Sequence, residues 1–521
     1  MQTILEKTCL FIKIIVSLQA PTEKIQTIQK SNNKNFQKMS TVKFYKQEEQ
    51  VPLEMHKVRV VQKLHLLPVE ERLQAIKEAG NNTFLLQNKD IYLDMLTDSG
   101  VNGMTDLQTA AMMQADDSYA GSETFNRVKA AVKEVFGTDN VLPAHQGRAC
   151  ENILAEAYVK PGMVTIMNFH FTTTKAHITR LGGEVIEVVN KKGLIPQTDD
   201  PFKGDFDLDE LRATIKKYGP EKVAFVRIEA GTNLIGGQPV SLENMLAVTD
   251  ICHEFGVRSV LDASLLQDNV YFMKTREPQC KFMEPREIYR LLAAKCDIVY
   301  FSARKLGFSR GGIITSVDPK FTNEMMEFVP LYEGFLTYGG MEVRSMEAMA
   351  QGLYESLDME YINQGPEFIE YLVKDLDAYG VPVIKPAGGL GAHLNCSEFV
   401  PKMPHNQYPA AAVGAALYIA GGIRGMERGT VSEQREPDGK ERYAELELQR
   451  LAVPRRVFTL SQIKYCADRV KWVWDNRKII GGLKWVYEPK VLRFFFGRMK
   501  EIGHWQEDLT AKFREDFGDS L

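Results

Sequence analysis

Between residues 140 and 316, short apolar runs alternate with longer amphipathic segments. The runs MVTIMNF (163–169), EVIEVV (184–189), VAFVRIE (223–229), VRSVLD (257–262), CDIVYFS (296–302) and GGIITS (311–316) are rich in β-branched residues and predict strands. Between them TTTKAHITRLGG (172–183), DLDELRATIKKYG (207–219) and SLENMLAVTDICHEFG (241–256) carry helical spacing and end on glycine. Asp207 and Glu210 form a D-x-x-E capping pattern, and Ser241 caps the following helix. Near-continuous apolar strands spaced by helices predict an α/β fold with a mostly parallel sheet covered on both faces. No internal repeat is visible, and GGLGAHL (388–394) reads as a turn.

Composition narrows the possibilities. The 521 residues, 44% hydrophobic and 25% charged with net charge −4, allow two to four domains or one large domain with a satellite. No lysine/arginine block is dense enough to read phosphates, so nucleic acid is not an expected partner. Seven cysteines (9, 150, 252, 280, 296, 396 and 466) show no C-x-x-C spacing, which argues against disulfides and zinc and for a reducing, cytoplasmic location. The nine histidines show no H-x-x-x-H spacing, and no apolar run reaches the ~20 residues of a membrane span. Residues 1–40 read as a disordered or leader-like extension. Their apolar run CLFIKIIVSLQA (9–20) is broken by Lys13 and preceded by Glu6, against the pattern of a secretory signal.

In parallel sheets ligands sit at the carboxyl ends of the strands, near helix N-termini. Three polar features fall at that edge. Gln146-Gly147-Arg148 precedes the helical ACENILAEAYV, so free N–H groups, a helix dipole and an arginine converge on one phosphate-sized spot. Asp262 closes one strand and Lys305 follows another. Singly they read as a cap, a turn aspartate and a loop lysine, and His145 reads as structural. Together they supply a phosphate cradle, a carboxylate and an amine. Those groups can hold pyridoxal 5′-phosphate by its phosphate, pyridine nitrogen and aldehyde.

The motifs LTDSG (96–100), SYAGS (118–122), HQGR (145–148), NFHFTTT (168–174), FKGDFDLDEL (202–211), NLIGGQPVS (233–241), LDAS (261–264), EGFLTYGG (333–340) and YEPKVLRFF (487–495) occur in this order. On them the chain resembles the β-eliminating lyase family, the tryptophanases and tyrosine phenol-lyases, over about residues 60–515. The resemblance implies a fold-type-I, aspartate aminotransferase-like large domain (106–345) and a smaller α+β domain (346–521). It adds an N-terminal arm and part of the small domain (41–105). It also implies pyridoxal phosphate, an amino-acid substrate and a homo-oligomer, a tetramer as in the family.

Residue by residue, the resemblance makes Lys305 the lysine that binds the cofactor's aldehyde. Asp262 would pair with the ring nitrogen, Phe171 would stack on the ring, and Asn233 would lie near the ring hydroxyl. Gln146, Gly147, Arg148 and Ser302 would hold the phosphate. Arg450 would bind the substrate carboxylate, and Tyr119 would protonate the leaving carbon. Arg428, Thr172, Phe494 and Phe495 match the ring pocket of a phenol-lyase more than that of a tryptophanase, since arginine and threonine can polarise a phenolic oxygen. A monovalent-cation site would use Gly100, with Asp117 where the family has a glutamate.

Three departures stand out: Leu265 replaces an arginine on the cofactor's ring oxygen, the loop after Lys305 is one residue shorter, and Asp117 is not a glutamate. They leave open elimination from tyrosine or from tryptophan, a lyase acting on a Cβ–S bond, and a scaffold without activity.

Overall fold

The computed structural model describes residues 41–43, 50–436 and 438–521; the leader-like reading of residues 1–40 lies outside them. Its centre is a seven-stranded sheet. The strands are β1 (Val141–Ala144), β2 (Val164–Met167), β3 (Glu184–Glu187), β4 (Val223–Glu229), β5 (Ser259–Asp262), β6 (Ile298–Ser302) and β7 (Gly312–Thr315). They lie in the order β3-β2-β4-β5-β6-β7-β1, and only β7 runs against the rest. β4, β5 and β6 are buried along their whole length, as their continuous apolar character requires of a sheet covered on both faces.

Two of the helices on this sheet start where the chain supplies side-chain caps. Between β3 and β4, α3 (Leu208–Tyr218) begins with Asp207 accepting from the N–H of Glu210 at 3.0 Å. Two others precede it, α1 (Gly147–Tyr158) after β1 and α2 (Thr172–Arg180) after β2. α4 (Leu242–Phe255) starts with Ser241 accepting from Asn244 and ends at Gly256 in a left-handed conformation.

A second core lies beyond the sheet. Its strands β8 (Gly391–Asn395), β9 (Met426–Arg428) and β10 (Leu448–Ala452) are antiparallel in the order β8-β10-β9. The turn expected at 388–394 is therefore only half right, because its second half is strand β8. Glycine is demanded there by close packing: a Cβ on Gly391 would lie 2.3 Å from the Leu451 carbonyl oxygen. Behind this sheet α5 (Pro409–Gly421) is apolar on every side and fully buried, its small residues letting neighbours approach. Chain from the N-terminal side joins this core, with Val69, Ile76 and Leu93 among its members.

One buried ion cluster ties these parts together beside the site. Arg455 pairs with Asp98 at 3.0 Å and with Asp268 of the helix that follows β5, all three at 2% exposure or less. Removing one partner from such a cluster costs about 3–5 kcal/mol, because the others stay buried and uncompensated. The cluster thereby anchors Thr97 and Ser99, its sequence neighbours, at the cavity described next.

Candidate active site

A cavity of about 320 Å³ opens at the carboxyl ends of β2, β4, β5 and β6, the edge where ligands are expected. One wall is the start of α1. Gln146 is extended and no side chain caps the helix, so its first N–H groups face outward. Gly147 is forced by packing, since a Cβ there would stand 2.6 Å from Cβ of Ser302. Arg148 lies above this point, its guanidinium 5.3 Å from the Phe495 ring centre. Burial first, then Arg310 and Arg148, pull the Arg304 guanidinium below its ordinary pKa. Clustered positive charge at a free helix N-terminus suits a phosphate.

Lys305 follows β6 in a tight turn, with its N–H donating to the Ser302 carbonyl at 3.0 Å. The turn closes through Gly311, which has φ +111° and lies so near the Met341 sulfur that no side chain would fit. Lys305 Nζ lies 5.6 Å from the Phe171 ring centre, and the Arg428 guanidinium lies at the same distance. Asp262, at the end of β5, lines the same cavity.

Two arginines from the second core reach the cavity. Arg450 on β10 donates to Asn233 Oδ1 at 2.9 Å and to the Leu96 carbonyl at 2.6 Å, while its Nε–H has no partner. Burial pushes its pKa down to about 10. Arg428 on β9 is 4% exposed, with Nε and Nη1 unpaired. Burial first, then the neighbouring Arg450, drive its pKa well below the ordinary value. Two buried guanidiniums with unused donors call for an anion or a strong acceptor between them. Beside them Phe494 and Phe495 form an aromatic wall, closed by Phe84 at 5.5 and 5.0 Å.

The remaining candidates fall elsewhere. Thr172 is buried with an unpaired hydroxyl, and the cavity wall at that point is Thr173, which donates to Glu151 at 2.6 Å. Tyr119 is 69% exposed, stacks on Phe335 and does not line the cavity of its own chain. Asp117 is exposed and likewise outside the cavity wall. Gly100 lies against the Arg304 guanidinium, which would meet a Cβ there at 2.6 Å. His145 pairs with Glu333 at 2.5 Å. Leu265 is buried with Leu390 and Ala452 in a small apolar cluster, so an oily contact stands where the family's arginine would be.

Four residues beneath the site escaped the sequence reading. Arg227 and Glu229 on β4, Tyr300 on β6 and Glu151 on α1 are all buried. The available signal was a charged pair inside VAFVRIE, an otherwise unbroken apolar strand.

With this geometry in hand, the comparisons are direct. The profile described as "Beta-eliminating lyase" matches residues 94–469. The chain is 40% identical over 451 residues to the tyrosine phenol-lyase of Symbiobacterium sp. (strain SC-1), covering 86% of this chain and 98% of that one. It is 39% identical over 449 residues to the tyrosine phenol-lyase of Nostoc punctiforme, covering 86% and 96%. Among solved structures, histidinol-phosphate aminotransferase from Sinorhizobium meliloti in complex with pyridoxal-5′-phosphate matches with TM-score 0.52 at 15% identity, over 80% and 96% of the two chains. Serine palmitoyltransferase of Sphingomonas wittichii matches with TM-score 0.54 at 13% identity, over 79% and 97%. These likenesses establish the fold-type-I architecture.

Proposed function

The chain belongs to the β-eliminating lyase family: it is a pyridoxal phosphate-dependent lyase that acts on aromatic amino acids by β-elimination, and we propose L-tyrosine as its substrate, released as phenol, pyruvate and ammonium. The observation that carries this reading is the pair of buried arginines, Arg428 and Arg450, whose free N–H groups have no carboxylate of the protein to meet. A tyrosine substrate brings both acceptors they lack: an α-carboxylate for Arg450 and a phenolic oxygen for Arg428.

The residues lining the cavity fit the cofactor. The α1 N-terminus with Gln146, Gly147, Arg148 and Ser302 would hold the phosphate. Asp262 would meet the ring nitrogen, Phe171 the ring face, Asn233 the ring hydroxyl and Lys305 the aldehyde. Bound pyridoxal phosphate supplies an electron sink for the carbanion left at Cα. Lys305 would take the Cα proton. Tyr119 would give a proton to the ring carbon as the Cβ–Cγ bond breaks, while Arg428 would polarise the phenolic oxygen. Phe494 and Phe495 would exclude water from the ring.

The exposure of Tyr119 supports a homo-oligomer, with a neighbouring copy completing each site. The proposed division is a large domain over 106–345, a small domain over 346–521 and an N-terminal arm over 41–105. No helix among the described residues is long and apolar enough to cross a membrane. The six cysteines among the described residues are buried and free, which fits a reducing, cytoplasmic setting.

Competition between tyrosine and phenylalanine tests the substrate. A site built to hydrogen-bond a hydroxyl rejects the analogue lacking it by about 10⁴-fold in kcat/KM. A ratio near one would remove the phenolic contact from this account.

A further inference from the structure

Strand β4 is buried at every residue, yet it carries two charged side chains, Arg227 and Glu229, on one face. Desolvating charge in a sheet interior is costly, and charges persist there only when their hydrogen bonds are filled. Those of Arg227 run towards the cofactor pocket. Its Nη2 lies 2.5 Å from Asp262 Oδ2, and its Nε donates to the Tyr300 hydroxyl at 2.8 Å. That hydroxyl donates in turn to the same Asp262 oxygen at 3.0 Å. Arg227 Nη1 lies 3.3 Å from Glu229 Oε2.

The register makes this possible. β4 pairs with β5 and β5 with β6, which brings Arg227, Asp262 and Tyr300 onto three adjacent strands. Two donors therefore fill Oδ2 from within the sheet. Oδ1 accepts the Ser264 N–H at 2.9 Å, which leaves it a second lone pair. That lone pair is the acceptor the carboxylate has left for a ring nitrogen.

The charge balance points the same way. Three buried carboxyls, Glu151, Glu229 and Asp262, surround the Arg227 guanidinium. Burial pushes Glu229 up to about 7 and raises Glu151 as well. The carboxyl nearest Arg227 is Asp262.

We propose that Arg227, assisted by Tyr300, is a positioning residue for the cofactor's pyridine nitrogen: it keeps Asp262 an ion-paired acceptor and leaves Oδ1 as the atom that meets the ring. The proposal rests on the cofactor reading above. Without Arg227, Oδ2 would lose its charge-assisted donor, and the carboxylate the contact that turns Oδ1 towards the ring.

The test is a binding equilibrium. The full-length protein is stripped of cofactor and titrated with pyridoxal phosphate and with its 1-deaza analogue, in which C–H replaces the ring nitrogen. The wild type is expected to prefer pyridoxal phosphate by about tenfold or more, the size of one charge-assisted hydrogen bond. Arg227→Met is expected to lose most of that preference. Loss of folding would abolish binding of both compounds, whereas a lost contact removes only the difference between them. Should Arg227→Met fail to fold, Arg227→Lys and Tyr300→Phe carry the test, each expected to lower the preference about threefold by weakening one contact to Oδ2. Variants that keep the full wild-type preference would overturn the role of Arg227 while leaving the cofactor reading intact. A wild type that binds neither compound would overturn the cofactor reading itself.

Discussion

Arg450 donates from Nη1 to Asn233 Oδ1 at 2.9 Å, so strand β10 of the second core is tied directly to the turn that ends β4 in the central sheet. The residues proposed to meet substrate and cofactor are thus joined by a hydrogen bond that crosses between the two cores. Replacing Arg450 by methionine is expected to lower kcat/KM for tyrosine by about 10²-fold or more, as for a buried charge pair that loses one member. Steady-state kinetics check this, with cofactor absorbance expected to persist.

At the other end of the proposed substrate, Arg428 would meet the phenolic oxygen. Arg428→Ala is expected to cut tyrosine turnover by about 10²–10³-fold, the range seen when one donor to a developing negative charge is removed. An S-alkyl cysteine, whose leaving group departs unaided, should keep most of its turnover, because removal of the α-proton does not involve Arg428. Pyruvate release from the two substrates, measured side by side, separates a lost ring contact from general damage.

His170 sits between two carboxylates, with Nε2 3.1 Å from Glu433 and Nδ1 against Glu187. Lys175 and Arg442 also pair with Glu433, and Glu445 faces the cluster. Burial alone would lower the His170 pKa, but Glu187 and Glu433 outweigh it and raise it. A raised folded-state pKa gives stability that is complete below the unfolded value of about 6.5 and lost as pH rises through the folded value. His170→Gln should cost about 3 kcal/mol at pH 6, and the difference should shrink towards pH 9. Melting curves across that range check it; a constant difference would contradict it. At the acid end the cluster weakens again as Glu187 and Glu433, both depressed, take up protons.

Tyr119 lies outside the cavity of its own chain. If a neighbouring copy supplies it, mixing inactive Tyr119→Phe and Lys305→Ala chains should restore activity in hybrid oligomers, since one site then has both native groups. Mixed species that stay inactive after subunit exchange would place Tyr119 in the site of its own chain.

Much of this site could be read along the chain because its parts sit where strands end. Lys305, Asp262 and the Gln146–Arg148 turn each follow an apolar run, and period and breaker residues suffice to find such points. Arg227 and Tyr300 could not be found that way. Their contact with Asp262 exists only because β4, β5 and β6 are neighbours, and strand order is a property of the whole sheet. Strand β8 was hidden for a different reason: its glycine is needed for close approach to β10, so its composition imitates a turn. Thr172 and Thr173 are adjacent and chemically alike, and only the start of α2 decides which of them faces the cavity.

The central claim is that this lyase cleaves the Cβ–Cγ bond of tyrosine through a pocket built for a phenol. The most direct measurement follows the aromatic product when the purified, cofactor-loaded protein is incubated separately with L-tyrosine and L-tryptophan. Phenol in equal amount to pyruvate and ammonium from tyrosine, with little or no indole from tryptophan, is the expected result. Indole from tryptophan without phenol from tyrosine would contradict the account.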